Sequence, residues 1–455
     1  MKTLPKQTRH TSVPEPINTM KAVMSFSKIF QVLVACLCVS TGAWAETPIQ
    51  LVKVVGGLNK PLAMAQPQGD SRMFIMEHEG LIKVLEDGKI THTLLDLTSK
   101  VLPFNSDYSE AGLLGMAIHP NFQKNGKIYV AYSAPLGSDN TVAPAGYSHL
   151  NVVEEFVVNK SSKNRIDPNS GKRVHSLPWP NFNHNGHWIG FGPDKMLYIS
   201  TGDGGYKAEW TEKKANYNSQ NLDNYFGKIL RIDVSQSTKN KPYRVPADNP
   251  MVKVPQALPE IWAFGLRDPW RCSFDSQGSK HLICGDVQED SFESIKIIEK
   301  GKNMGWPIVE GQMRCFSWDN PQAHKDNCDK SAINPAVIEY PNCSAVPAGC
   351  KGISVAGGYI HRGSSSQLHG KYIFGDWSKR FDQNDGQLFV ASPTKTGSWS
   401  MVNTRVEMSE PTANGKLPYI LAFAQDSKGN VYALTAVNSK RNKVMEDAIY
   451  MVKAE

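Results

Sequence analysis

A polar turn followed by a short run of alternating apolar positions recurs six times along this chain. The units read QGDSRMFIMEH (68–78), FQKNGKIYVAYS (122–133), GPDKMLYISTGD (192–203), DSQGSKHLICGD (275–286), SSQLHGKYIFGD (365–376) and QDSKGNVYALT (425–435). Each carries Asp, Asn, Gly or Ser where the chain must turn. Each then runs into a period-two pattern, the signature of a β-strand. Their starts lie roughly 50 to 90 residues apart. That spacing predicts an all-β fold, a six-bladed β-propeller of four-stranded blades with long inter-blade loops. A pair of β-sandwiches sharing similar hairpins is the competing arrangement. No stretch carries a long amphipathic helical period, which disfavours a doubly wound α/β fold. No linker divides the body, so 46–455 reads as one propeller domain. The segments 204–225 and 315–350 read as long loops, and loops carry function on such scaffolds.

The first 45 residues follow a different pattern. Ile29 to Ala45 is mostly apolar, follows Lys21 and Lys28, and ends in Ala43-Trp44-Ala45. A basic stretch, a short apolar run and a small-x-small site make a signal peptide, with cleavage expected after Ala45. The run is too short and too interrupted for a membrane span. Leu33-Val34-Ala35-Cys36 also fits a bacterial lipoprotein box, so a lipid anchor at Cys36 is the alternative to a soluble periplasmic or secreted product. Met20 or Met24 is an alternative start. Beyond the signal six cysteines remain, at 272, 284, 315, 328, 343 and 350. An even number in an exported protein reads as disulfides, and six cysteines allow fifteen connectivities. Pairing of sequence neighbours is the simplest of them. No C-x-x-C occurs, which argues against a zinc site or a haem attachment.

Composition narrows the classes. Of 455 residues, 40% are hydrophobic and 20% charged, enough to bury a sizeable core and too apolar for global disorder. The formal charge is +7. Outside the first 45 residues, 45 basic residues face 42 acidic ones, a balance that does not suggest a nucleic-acid partner.

Several longer motifs carry a resemblance. They are EAGLLGMAIHPNF (110–122), NHNGHWIGFGPDKMLYISTGDGG (183–205), GKILRIDV (227–234), IWAFGLRDPWRCSFD (261–275), GDVQEDSFESIKIIEKGKNMGWP (285–307) and GGYIHRG (357–363). In this order and spacing the chain resembles the soluble aldose, glucose and sorbosone dehydrogenases that depend on pyrroloquinoline quinone (PQQ), from about residue 50 to 452. The resemblance implies a six-bladed propeller, the blade number reached above from the repeats. It also implies an exported enzyme that oxidises the anomeric carbon of an aldose to a lactone, with hydride passing to PQQ and electrons to an external acceptor.

The site residues follow from the motifs. Oxidation at an anomeric carbon removes a hydroxyl proton and a hydride, and a histidine can take that proton. His184 in NHNG matches the family's catalytic base. Asp203 in TGDGG, 19 residues on, matches the carboxylate that orients it. PQQ carries three carboxylates and an ortho-quinone, and arginine suits planar carboxylates. Arg267 in GLRDP matches the arginine beside the quinone, Arg362 in YIHRG a basic residue on a carboxylate, and Arg380 is a weaker candidate for the same role. Glu110 aligns with a polar residue near quinone and substrate. Calcium, bound through hard oxygen ligands, is expected on the backbone carbonyls of Gln288 and Glu289.

The chain departs from the family's pattern at three places. His187 replaces a glycine and reads as a packing or rim residue. Asp268 stands where the family mostly has Asn, beside the anionic cofactor. Gln288-Glu289-Asp290 replaces Gly-Gln-Asn at the calcium turn. These changes keep two other functions open: a propeller that binds a saccharide or protein without turnover, and a calcium-dependent hydrolase of the lactonase type, for which Glu110, Asp203, Asp268 and Glu289 are the available acids. Fold alone does not choose among them.

Overall fold

A computed structural model describes residues 48–454, apart from 104–109, 159–164, 206–217, 239, 290, 317–326, 411, 413–414 and 438–445. The segment 1–45 expected to direct export, with Cys36 and Ala45, and Asp290 of the expected calcium turn, lie outside the described residues. So do parts of 204–225 and 315–350; the second of these is not all loop as expected, since it supplies Ile338–Pro341, which pairs with Phe292–Ile298.

The fold is all-β. The helices among the described residues are one turn at Phe122–Asn125 and a 3-10 turn at Pro168–Ser170. Four antiparallel sheets have four strands each. The first holds Leu113–Ile118, Lys127–Ala134, His149–Val157 and Lys172–Trp179. The second holds Gly186–Phe191, Leu197–Thr201, Lys228–Ile232 and Ile261–Phe264. The third holds Asp268–Phe274, Leu282–Val287, Phe292–Ile298 and Ile338–Pro341. The fourth holds Val355–Ile360, Tyr372–Asp376, Gln387–Ser392 and Ser400–Asn403.

A two-stranded ribbon pairs Val309–Glu310 with Arg314–Cys315, and the remaining sheet has nine strands. One half runs through Pro61–Ala65, Met73–Glu77, Leu81–Glu86 and Lys89–Asp96. The other runs through Tyr419–Gln425, Val431–Ala436, Asp447–Lys453 and Ile49–Leu58, with Val406–Met408 at its edge. A single parallel pair, Ala65 with Gln425, joins the halves. The last strand therefore pairs with the first, Val452 against Leu51, which ties the two ends of the body together.

Each of the six turn-then-strand units becomes the second strand of such a set, hydrogen-bonded on both sides. Two-sided pairing and burial explain why these strands carry the strongest pattern. The opening strands pack on one another in sequence, and Tyr419–Gln425 returns to Pro61–Ala65. Apolar side chains fill the space between neighbouring sheets. Ala131 and Val153 of the first sheet meet Ile189, Ile199 and Leu230 of the second. Burying each large aliphatic side chain of this kind stabilises by roughly 1.5–3 kcal/mol.

Three disulfides staple the body, joining Cys272–Cys284, Cys315–Cys328 and Cys343–Cys350, the pairing of sequence neighbours. Among the described residues, no helix is long and apolar enough to cross a membrane.

The hairpin at the start of each sheet decides what meets what. Its second strand runs back towards the beginning of the first. Residues just before an opening strand therefore share one end of the sheet with residues just after the second strand.

Candidate active site

His184 precedes the opening strand of the second sheet and Asp203 follows the second strand of that sheet, so the hairpin returns one to the other. His184 Nδ1 lies 2.7 Å from Asp203 Oδ1. The carboxylate is held on other sides as well. Gly205 N–H donates to Oδ1 at 3.0 Å and Trp306 Nε1–H to Oδ2 at 2.9 Å. Burial acts to raise the Asp203 carboxyl, but His184, Arg267 and the donated hydrogen bonds outweigh it and hold the group below the usual carboxylate range. An ionised carboxylate only accepts, so His184 Nδ1 is the donor and the basic lone pair is on Nε2.

The turn that presents His184 is left-handed. φ is +50° at His184, +62° at Gly186 and +62° at His187, an uncommon region for residues with a side chain. Two carboxylates hold it. Glu110 Oε2 accepts the His184 N–H at 2.6 Å, and Asp268 Oδ1 accepts the Gly186 N–H at 3.0 Å. Gly202 is required opposite, since a Cβ there would lie 1.9 Å from the His184 carbonyl oxygen. Behind the turn, Asn185 Oδ1 faces His149 Nε2 at 2.9 Å and accepts from Asn151 Nδ2 at 2.9 Å. Burial raises Glu110 well above the usual carboxylate range. Burial and then the charge of Glu110 do the same to Asp268.

Arg267 stands beside the dyad. Its carbonyl accepts the Asp203 N–H at 2.7 Å, and its guanidinium lies 5.6 Å from the centre of the Trp306 ring. The guanidinium also donates to Glu289 Oε2 from Nε at 2.9 Å and from Nη2 at 2.6 Å, and to the Val287 carbonyl at 3.2 Å. Gln288 is buried, with Nε2 on Asp286 Oδ2 at 2.7 Å and Oε1 without a partner. Glu310 receives Ser291 and Phe292 N–H on Oε1, while its buried Oε2 has none.

The structure thus brings together Glu110, His184, Asp203, Arg267, Asp268 and Glu289, with Gln288 adjoining. It does not bring Arg362 to them. Arg362 follows the far end of Val355–Ile360 and makes a two-pronged ion pair with Asp275, Nε to Oδ1 at 2.9 Å and Nη2 to Oδ2 at 2.7 Å. Asp275 follows the last residue of Asp268–Phe274, seven residues or about 20 Å from the Arg267 end. Arg380 follows a second strand and so lies at the site's end of its sheet, but it is exposed and its side chain pairs with Asp382 at 3.0 Å. His187 is buried, as a packing residue should be, yet neither ring nitrogen has a partner. Among the described residues, no three His, Cys, Asp or Glu side chains converge as metal ligands; ligation by backbone carbonyls would not need such a cluster.

Sequence reasoning missed the supports of this site: Trp306, Glu310, Asp286 and Lys296. A signal for one of them was present. Thr201-Gly202-Asp203, Cys284-Gly285-Asp286 and Phe374-Gly375-Asp376 all close second strands. Asp286 accepts the N–H groups of Arg267 and Asp268, and Asp376 those of Ile353 and Ser354, in each case at the start of the opening strand. Asp203 occupies the same place and turns to the His184 side chain instead.

Known proteins show similarity over most of the chain. The plant HIPL1 protein of Arabidopsis thaliana is 28% identical over 81% of this chain, and the human Hedgehog-interacting protein is 28% identical over 85%. The chain spans 59% and 50% of the length of these two relatives. Quinoprotein glucose dehydrogenase B of Acinetobacter calcoaceticus is 26% identical over 61% of this chain and 59% of its own. Among solved structures, the PQQ-bound aldose sugar dehydrogenase of Streptomyces coelicolor matches with a TM-score of 0.61 at 20% identity, over 90% of this chain and 99% of its own, a likeness of fold. The model of the glucose/sorbosone dehydrogenase family matches residues 58–354, and the chain belongs to that family.

Proposed function

We propose that this protein is an exported quinoprotein that oxidises the anomeric carbon of an aldose to a lactone and passes the electrons to an external acceptor. The observation that carries the reading is the His184–Asp203 contact at 2.7 Å, set beside Arg267. The four four-stranded sheets and the nine-stranded sheet are read as six blades, with the nine-stranded sheet counted as two, on a single domain over 46–455. The segment 1–45 is read as the export signal. The three disulfides fit an oxidising compartment, periplasmic or extracellular.

The residues present fit the quinone end of PQQ. Arg267 is a buried cation next to the dyad; the unpartnered Gln288 Oε1 belongs to the expected calcium turn, and the unpartnered Glu310 Oε2 is on a carboxylate whose other oxygen accepts the Ser291 N–H just after that turn, both of them hard oxygens. The carbonyls of Gln288 and Glu289 would hold the calcium. PQQ, when bound, supplies the hydride acceptor. His184 Nε2 takes the proton of the anomeric hydroxyl, and Asp203 stabilises the imidazolium that results. Glu110 and Asp268 fix the turn that carries the base, and Arg267 places positive charge where the substrate oxygen becomes negative. Arg362 is withdrawn from this set by its pairing with Asp275, and Arg380 by its pairing with Asp382.

A second reading is a propeller that binds a saccharide or protein partner without turnover. The ion pair between Arg267 and Glu289 favours it, because the guanidinium offered to an anionic cofactor already has a carboxylate. The relatives named for interaction with Hedgehog point the same way. The four acids of the lactonase-type reading share this site, but each already has a protein partner: Glu110 and Asp268 hold turn N–H groups, Asp203 holds His184 and Glu289 pairs with Arg267.

The test is reconstitution. Purified protein is given calcium and PQQ, and aldose-dependent reduction of a dye is followed beside His184→Ala. Dye reduction that requires PQQ and vanishes in the variant supports the dehydrogenase. If PQQ neither binds nor supports turnover on a broad panel of aldoses, the binding module takes its place.

A further inference from the structure

Beneath the dyad lies a buried ion pair that the chemistry above does not use. Lys296 and Asp286 are 1% and 0% exposed, and Lys296 Nζ donates to Asp286 Oδ2 at 2.8 Å. Burying two charges is costly unless their remaining hydrogen-bonding capacity is filled, and replacing such a pair by apolar residues is often neutral or stabilising. The partners of this pair are therefore informative.

Asp286 spends its other oxygen on the site backbone. Oδ1 accepts the Arg267 N–H at 3.1 Å and the Asp268 N–H at 2.9 Å. Those two residues carry the guanidinium beside the dyad and the carboxylate that holds Gly186. Gln288 Nε2 donates to Oδ2 at 2.7 Å and fills the remaining position. Lys296 reaches the other way, donating from Nζ to the Met304 carbonyl at 3.0 Å. Met304 precedes the Gly305-Trp306 turn. The Trp306 indole N–H binds Asp203 Oδ2 at 2.9 Å and its ring faces the Arg267 guanidinium. One ammonium thus joins the two supports of the dyad, the backbone under Arg267 and Asp268 and the turn that delivers Trp306 to Asp203.

We infer that Lys296 and Asp286 are positioning residues that set the geometry of the His184–Asp203 hydrogen bond from below, and not only a structural pair of the third sheet. The inference rests on the reading of His184 as the base, but its test does not depend on turnover. The far-downfield proton of His184 Nδ1–H reports the bond directly in the unliganded full chain. With nitrogen-labelled histidine, that resonance is identified by its absence in His184→Ala.

In Lys296→Met the resonance is expected to move upfield or broaden away, while the amide spectrum of the sheets is retained. If the unpaired Asp286 prevents Lys296→Met from folding, the paired variant Asp286→Asn/Lys296→Met leaves no charge buried alone. It still lacks the link to the Met304 carbonyl and is expected to lose the resonance too. An unaltered resonance in whichever of the two is folded overturns the inference. If the protein turns over aldoses, kcat should fall roughly tenfold to a hundredfold with little change in KM, since small misplacement of a catalytic group costs on that scale. A protein without turnover that still shows the spectral change would sink the dehydrogenase reading and leave the positioning pair standing.

Discussion

Trp306 and His184 reach the same carboxylate from opposite sides, the indole N–H on Oδ2 of Asp203 at 2.9 Å and the imidazole on Oδ1 at 2.7 Å. Gly205 N–H adds a third donor on Oδ1. An amide at position 203 would have to point its NH2 at one of these donors. Asp203→Asn is therefore expected to keep the fold and lower turnover by roughly 10²- to 10⁴-fold, because the imidazolium loses its counter-charge. Steady-state dye reduction by the reconstituted variant measures this. Undiminished kcat in Asp203→Asn would remove the orienting role from Asp203.

In the proposed enzyme, Asp268 would bear on the cofactor through its charge. The Gly186 N–H needs only an acceptor, which Asn supplies as well as Asp. Asp268→Asn should therefore preserve the turn and bind PQQ more tightly, roughly tenfold near neutral pH, because a like charge is gone. The Asp268 carboxyl is raised by burial and by Glu110, so it sheds its charge as pH falls. The difference between variant and parent should close in that direction. Titration of PQQ at several pH values tests it; equal or weaker affinity in the variant at every pH contradicts the repulsion.

The buried titratable groups pull stability in opposite directions. Burial holds His78, His149 and His175 down to about 4 and His187 down to about 3. The unfolded chain takes up those protons near the ordinary histidine value of about 6.5, so their contribution is present above that pH and lost as pH falls towards 4. The acids Glu110, Asp268 and Glu310 are raised by burial and act in reverse, with stability lost as pH rises from the ordinary carboxylate range towards 7. The two sets offset each other across the same window. His175→Phe removes one histidine while keeping a ring against Tyr225, whose centre lies 5.3 Å away. Relative to the parent, it should gain on the order of 2 kcal/mol at pH 5 compared with pH 7.5, read by urea unfolding. A pH-independent difference would mean that His175 does not titrate as its burial implies.

Much of this architecture is legible in the sequence, because each of the six second strands is buried on both faces and reads as a compact, mostly apolar run behind a polar turn. His184, Asp203, Arg267, Asp268 and Glu110 were also reachable, through motifs that place them beside strand ends. Arg362 shows the limit. A motif fixes a residue's place in the chain but not which end of a strand it occupies, and two residues past Ile360 is the wrong end for the dyad. Lys296 was hidden for another reason. On the alternating strand FESIKII it reads as an outward charge, and only the Asp286 carboxylate from the neighbouring strand explains its burial. Trp306 lies 103 residues from Asp203, a separation that no local pattern spans.

The repeated Gly-Asp at the close of second strands has an evolutionary consequence. At Asp286 and Asp376 the acid pins backbone, and at Asp203 the same acid faces an imidazole. If Asp203 orients the base as proposed, that role needs no residue beyond a part the scaffold repeats, only a histidine in the turn opposite it. The reverse step is equally short. In the proposed enzyme, loss of that one histidine would silence the chemistry while the sheet and its loops stayed intact, so a step from catalyst to non-catalytic binder need not pass through an unstable form.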